Sequence, residues 1–224
     1  MKRIISLVLT LTLYTSMYAQ KDVTKFLGIP VDGTKSEMIQ KLKAKGFTYN
    51  SVKDMLEGEF NGSEVQIAVV TNRNKVYRIY VADKYPRDET EIKIRFNKLC
   101  HQFENNDKYS GSKNQTISDD EDISYEILVN KKRYEAAFFQ KTDEKLKENF
   151  VKSRLLSEYT TEQLADTSKV TQSLISTSKL IFELEFLEKN KSKLVWFMIN
   201  QEYGQYRILM FYDNENNKSD GEDL

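Results

Sequence analysis

Apolar and polar positions alternate along this chain in stretches set apart by turn residues. Lys2 and Arg3 precede an apolar run from Ile4 to Tyr14, and Thr15 to Ala19 follows it. A charged start, a short apolar run and a small residue predict a secretory signal over residues 1–19, since a membrane-spanning helix needs about 20 apolar residues. The cut is placed after Ala19. Ser16 is the minor alternative, because Met17 stands three places before the main cut, where a smaller residue is usual.

The next element is a helix. Thr34-Lys35-Ser36-Glu37 reads as a capping box, Met38, Ile39 and Leu42 fall on one helical face, and Gly46 closes it. Three strands follow: Leu56 to Phe60, turning at Asn61-Gly62, then Val65, Ile67 and Val69 in alternation, then Val76 to Val81 after Asn72-Arg73-Asn74. A second helix is predicted from about Asp88 to Phe103, with Ile92, Phe96, Leu99 and Phe103 as its apolar stripe.

Residues 104–122 are polar and read as a loop. Ile123, Tyr125, Ile127 and Val129 alternate, as do Tyr134, Ala136 and Phe138, which predicts a hairpin turning at Asn130-Lys131-Lys132. The stretch 141–178 is the least readable, with one marginal helix from Thr161 to Leu174. Leu180, Phe182, Leu184 and Phe186 alternate with Glu183 and Glu185 and read as a strand with one wet face. Leu194 to Ile199 is apolar on both faces and reads as a central covered strand; Tyr203 to Tyr212 is the last strand.

Sequential hairpins with helices on one side predict an α+β fold with an antiparallel sheet. The helix-then-hairpins plan occurs twice. The predicted organisation is a signal over 1–19, one domain over 20–212 and a frayed polar tail over 213–224. A finer reading divides the domain into halves of about 24–84 and 86–212.

Composition narrows the chemistry. The chain balances 34 basic against 34 acidic residues, and removing Lys2 and Arg3 with the signal leaves a net charge of −2. Bulk charge therefore gives no reason to expect a nucleic-acid or anionic-membrane partner. One Cys and one His exclude an intramolecular disulfide framework and multi-thiolate zinc sites.

Each candidate motif has a plainer explanation. Cys100 and His101 are helix neighbours pointing about 100° apart, so they cannot form a nucleophile–base pair. The run Asp119-Asp120-Glu121-Asp122 and the stretch from Asp213 lack calcium-loop spacing; counted from Asp213, Lys218 and Leu224 occupy the places that want Gly and Glu. Gly28 and Gly33 have phosphate-loop spacing, but Thr34 stands where Lys is required. Lys131-Lys132-Arg133 beside Tyr134 reads as a solvated turn. Tyr77, Tyr80, Tyr125, Tyr134, Tyr203, Tyr206 and Tyr212 lie in or beside predicted strands, where Tyr suits either a core or a recognition surface.

Phe26-Leu27-Gly28-Ile29-Pro30-Val31-Asp32-Gly33-Thr34, then Lys45-Gly46-Phe47, Gly58-Glu59-Phe60 and the ending Phe211-Tyr212-Asp213-Asn214-Glu215-Asn216-Asn217 resemble segments of uncharacterised exported Bacteroidetes proteins. The likeness covers the chain after the signal except 141–178. The helix-plus-strands halves also resemble β-lactamase-inhibitor-protein-like modules and outer-membrane assembly lipoproteins of the SmpA/OmlA kind, whose lipid-attachment Cys this chain lacks. The resemblance implies a fold and an exported location and carries over no catalytic residue.

These readings converge on an exported, non-enzymatic protein-binding module of the bacterial envelope, located in the periplasm, at the cell surface or outside the cell. Its expected partner is another envelope or extracellular protein. No catalytic, metal or cofactor-binding residue is assigned, and no cofactor is expected. The alternatives are a carboxylate-based envelope hydrolase and a ligand- or glycan-binding protein.

Overall fold

The computed structural model describes residues 22–189 and 193–218; the expected signal lies outside these described residues. A small hairpin opens the fold, β1 (Lys25–Phe26) and β2 (Ile29–Pro30), turning through Leu27 and Gly28, both at positive φ. Helix α1 (Lys35–Lys43) follows, and the Thr34–Glu37 capping box is formed in both directions. Its buried residues are Met38, Ile39 and Leu42. Then come β3 (Thr48–Asn50), β4 (Met55–Phe60), β5 (Ser63–Asn72) and β6 (Lys75–Asp83). Asn61 and Gly62 have φ of 54° and 71°, the left-handed pair that a tight two-residue hairpin requires.

Helix α2 (Glu89–Glu104) starts at Asp88, whose side chain accepts from the Glu91 amide, and buries Ile92, Phe96, Leu99 and Phe103. The second set of strands is β7 (Tyr109–Gly111), β8 (Glu135–Gln140), β9 (Leu194–Glu202) and β10 (Gln205–Asp213). Eight strands form one antiparallel sheet in the order β3-β4-β5-β6-β10-β9-β8-β7. Each main helix thus precedes four strands, and the last strands of the two sets, β6 and β10, pair at the centre. Side chains of α1 and α2 join one core on one side of the sheet. Phe103, Phe138 and Phe197 stack there, the first two with centroids 4.8 Å apart.

Contacts group the chain into two compact units: a sheet unit, Val23–Lys141 with Ser192–Leu224, and a second unit that includes Thr142–Lys191. Of the stretch 141–178, all but Lys141 belongs to the second unit. It forms α4 (Glu144–Glu158), α5 (Thr161–Ala165) and α6 (Lys169–Lys189), after the short α3 (Ile123–Leu128) of the sheet unit. Val151, Phe182 and Phe186 are buried, Phe150 packs on Phe186 at 5.4 Å, and the Arg154 guanidinium lies 4.9 Å from the centre of the Phe182 ring.

Several local expectations are corrected. Ile123–Leu128 is a helix with Val129 as its C-cap, and not a strand, because Asp122 caps the Tyr125 amide and Glu89 accepts from the Ile123 amide. The hairpin at Asn130-Lys131-Lys132 is therefore absent; α3 leads directly to β8. Leu180 to Phe186 belongs to α6 rather than to a strand. Apolar residues at every second place also form two i,i+4 pairs, Leu180 with Leu184 and Phe182 with Phe186, and the second pair is the one buried. Residues 104–122 hold a strand, β7. The tail is not uniformly frayed: Asn214 is buried, and Asn217 Nδ2 donates to Asp32 and to the Val76 carbonyl.

Candidate functional site

Within the sheet unit, α1 and α2 take one face of the sheet. Pleating turns the intervening residues to the other face, and register lines them up across strands. Ala68, Tyr80, Phe211, Trp196 and Ala137 form one continuous row over β5, β6, β10, β9 and β8. The next row runs Gln66, Ala82, Leu209, Met198 and Glu135. Phe211 sits at the centre. Its ring stacks on Trp196 with centroids 4.0 Å apart and planes 17° apart, and Tyr80 approaches from the other side at 5.5 Å.

A charged clamp borders this row. Arg78 donates from Nε to Asp213 Oδ1 at 2.5 Å and from Nη2 to Oδ2 at 2.7 Å, and Trp196 Nε1 donates to Oδ2 at 3.2 Å. The Arg78 guanidinium lies 4.9 Å from the Phe211 centroid. The carboxylate raises the Arg78 pKa further above its usual range, so the guanidinium is a fixed charge. Arg207, opposite Asn200 on the same face, differs: its Nε is buried with no hydrogen-bond partner, and it has no ion pair among the described residues. Burial raises the Tyr80 phenol above its usual value, while the charge of Arg207 acts against that rise.

Of the tyrosines singled out in the sequence, Tyr134, Tyr206 and Tyr212 are buried on the core side. Tyr80 is in the aromatic row. Tyr77 is half-buried, Tyr125 is exposed on α3, and Tyr203 is 99% exposed in the β9–β10 turn at φ 52°. Trp196 and Phe211 of that row, and Leu209 and Met198 of the next, are brought together only by the strand register. The available signal was that β9 and β10 are apolar at both parities, which leaves half of their apolar residues facing away from the core. Leu194 to Ile199 is central, as expected, but Leu194, Trp196 and Met198 remain half-buried rather than covered.

The remaining motifs are accounted for locally. Cys100 is fully buried, its Sγ is 3.7 Å from the Gln115 carbonyl, and burial pushes the thiol up to about 12. His101 Nδ1 lies 3.5 Å from Glu104 and faces solvent. In the acidic run, Asp122 caps α3, Asp120 accepts from Ser118, and Glu121 accepts from Lys132 and Tyr134. Lys132 is thus paired, and Arg133 pairs with Glu135 at 3.0 Å. A shallow depression of about 550 Å³ lies over α2 beside Ile94, Lys98, His101 and Asp119. Its one carboxylate, Asp119, supplies no pair for glycoside cleavage.

Among known proteins, no family model, no curated protein and no solved structure matches this chain.

Proposed function

We propose that this chain is an exported, non-enzymatic protein-binding module of the bacterial envelope, and that the sheet face opposite α1 and α2 docks another envelope or extracellular protein. The observation that carries the reading is the row Ala68–Tyr80–Phe211–Trp196–Ala137 with Arg207 beside it, whose Nε is buried without a hydrogen bond and which has no ion pair among the described residues. Aromatic side chains held by stacking lose little freedom on binding, and Trp, Tyr and Arg dominate binding energy at interfaces. An unpaired guanidinium on an apolar face favours a partner that brings a carboxylate. The partner is therefore a polypeptide presenting apolar side chains and an acidic group.

Immobilised chain from Gln20 to Leu224 is expected to retain a single envelope protein, identified by mass spectrometry. Trp196→Ala and Arg207→Ala should each weaken its measured affinity at least about tenfold, the range for a central interface residue. The one Trp of the chain lies in this row, so its quenching by acrylamide should fall as the partner binds. Retention unchanged by both variants, with quenching unaltered, rejects the face.

A further inference from the structure

Helix α6 is apolar on two sides. One side holds Phe182 and Phe186, both buried. The other holds Val170, Leu174, Leu180, Ile181, Leu184 and Leu187, exposed by between 43% and 73%. Their spacing follows the helix repeat. Val170, Leu174, Thr177, Ile181 and Leu184 succeed one another by four, three, four and three residues, and Leu180 and Leu187 flank them. Thr177 does not interrupt the stripe chemically, since its hydroxyl already donates to the Ser173 carbonyl at 3.0 Å.

We propose that this stripe pairs with the same stripe of a second copy of the chain, the two α6 helices running antiparallel about a two-fold axis near Thr177. Area is the first argument. The six side chains expose on the order of 500–600 Å² of apolar surface, at the upper limit of what single chains leave uncovered. Doubled and with its rim, that area falls in the range of a stable interface, roughly 1,200–2,000 Å² in total. The stripe runs about 26 Å along the helix, enough for two and a half heptads.

Charge selects a copy of the chain over other occupants, and fixes its direction. Lys169 begins the helix, and Glu183, Glu185 and Glu188 gather near its end, with Glu188 in line with the stripe. Parallel pairing would set Glu188 against its own copy in the seam. Antiparallel pairing moves the two Glu188 residues to opposite ends, sets Glu185 opposite Lys169 of the copy, and leaves Glu188 opposite Asp166, whose carboxylate already accepts from Ser168 and Thr171. An anionic lipid surface would meet those same acidic groups. In the antiparallel register Val170 faces Leu184 of the copy, and Leu174 faces Leu180.

The chain from Gln20 to Leu224 should show a dimer mass by light scattering at about 10 μM, a concentration that populates a dimer of micromolar Kd. Ile181→Glu with Leu184→Glu, at exposed positions, should give a monomer with an unchanged circular dichroism spectrum. Direction is read by cross-linking, which the buried Cys100 does not disturb. Val170→Cys alone should form little disulfide-linked dimer, whereas Val170→Cys mixed with Leu184→Cys should form the mixed dimer on oxidation. A monomer mass throughout, a dimer untouched by the α6 variants, or monomeric protein retained on phosphatidylglycerol vesicles overturns the proposal. Efficient linkage of Val170→Cys to itself overturns the antiparallel arrangement.

Discussion

Arg78 and Asp213 face each other in register on the central strands β6 and β10 and close a two-point ion pair across 135 residues of sequence. The pair joins the last strands of the two helix-then-strands sets. Its carboxylate also receives the Trp196 indole N–H, and the Asp213 carbonyl receives the Thr24 hydroxyl at 2.5 Å, so the first hairpin, the sheet centre and the aromatic row meet at one residue.

Removal of Arg78 leaves the Asp213 carboxylate, 4% exposed, without its counter-charge. An uncompensated buried charge is expensive, so Arg78→Ala should lower the unfolding free energy by about 3 kcal/mol. Urea unfolding followed by Trp196 fluorescence measures it. A change within about 0.5 kcal/mol, the size of an ordinary surface substitution, would show that the pair contributes nothing beyond its geometry.

Cys100 should behave as an inert core residue. With its thiol pushed up to about 12, the reactive thiolate amounts to roughly one part in ten thousand at pH 8, and burial restricts access further. Labelling by an aromatic disulfide reagent should therefore follow the unfolding rate and become immediate in denaturant. Rapid labelling of the folded chain would place the thiol at a surface.

Glu121 links the loop before α3 to the segment that leads into β8. Its hydrogen bond with Lys132, and then that with Tyr134, hold its carboxyl below the usual carboxylate value. The folded value is the depressed one, so the stabilisation is complete above the unfolded value near 4.5 and is lost as pH falls through the folded value. Glu121→Gln should flatten the acid limb of the stability profile below about pH 4.5. An unchanged acid limb in the variant would assign the loss to other carboxylates.

Gly58 on β4 has room for no side chain. A Cβ there would meet Phe47 Cδ1 at 2.6 Å, and Phe47 is itself buried. Its φ is not in the left-handed region, so the cost of Gly58→Ala is one of overpacking, about 1–3 kcal/mol. Adding Phe47→Leu to the same chain should recover part of that loss in a thermal melt, since it removes the clashing ring atoms. No recovery would locate the strain elsewhere.

Local pattern carried the reading where one period ruled out the other. The Thr34–Glu37 cap, the stripe of α2, the Asn61-Gly62 turn and the alternation of Val65, Ile67 and Val69 each fit a single geometry, and each element is present. Ile123–Val129 and Leu180–Phe186 fit both periods, because apolar residues at i, i+2 and i+4 satisfy a strand and one side of a helix together. What separates the two lies outside the segment. It is Glu89 reaching the Ile123 amide in the first case and Phe150 packing on Phe186 in the second.

The candidate face was legible only in its parts. Sequence alone determined that β9 and β10 carry apolar residues at both parities and that two helix-led sets of strands form an antiparallel sheet. Tertiary structure decided that β10 pairs with β6, which sets Phe211 between Tyr80 and Trp196 and brings Asp213 to Arg78. A hydrophobic pattern records how each strand divides its residues between two faces. It does not record which strand lies beside which, because that choice is made by the shared core of distant segments, and a binding row crossing five strands exists only once the choice is made.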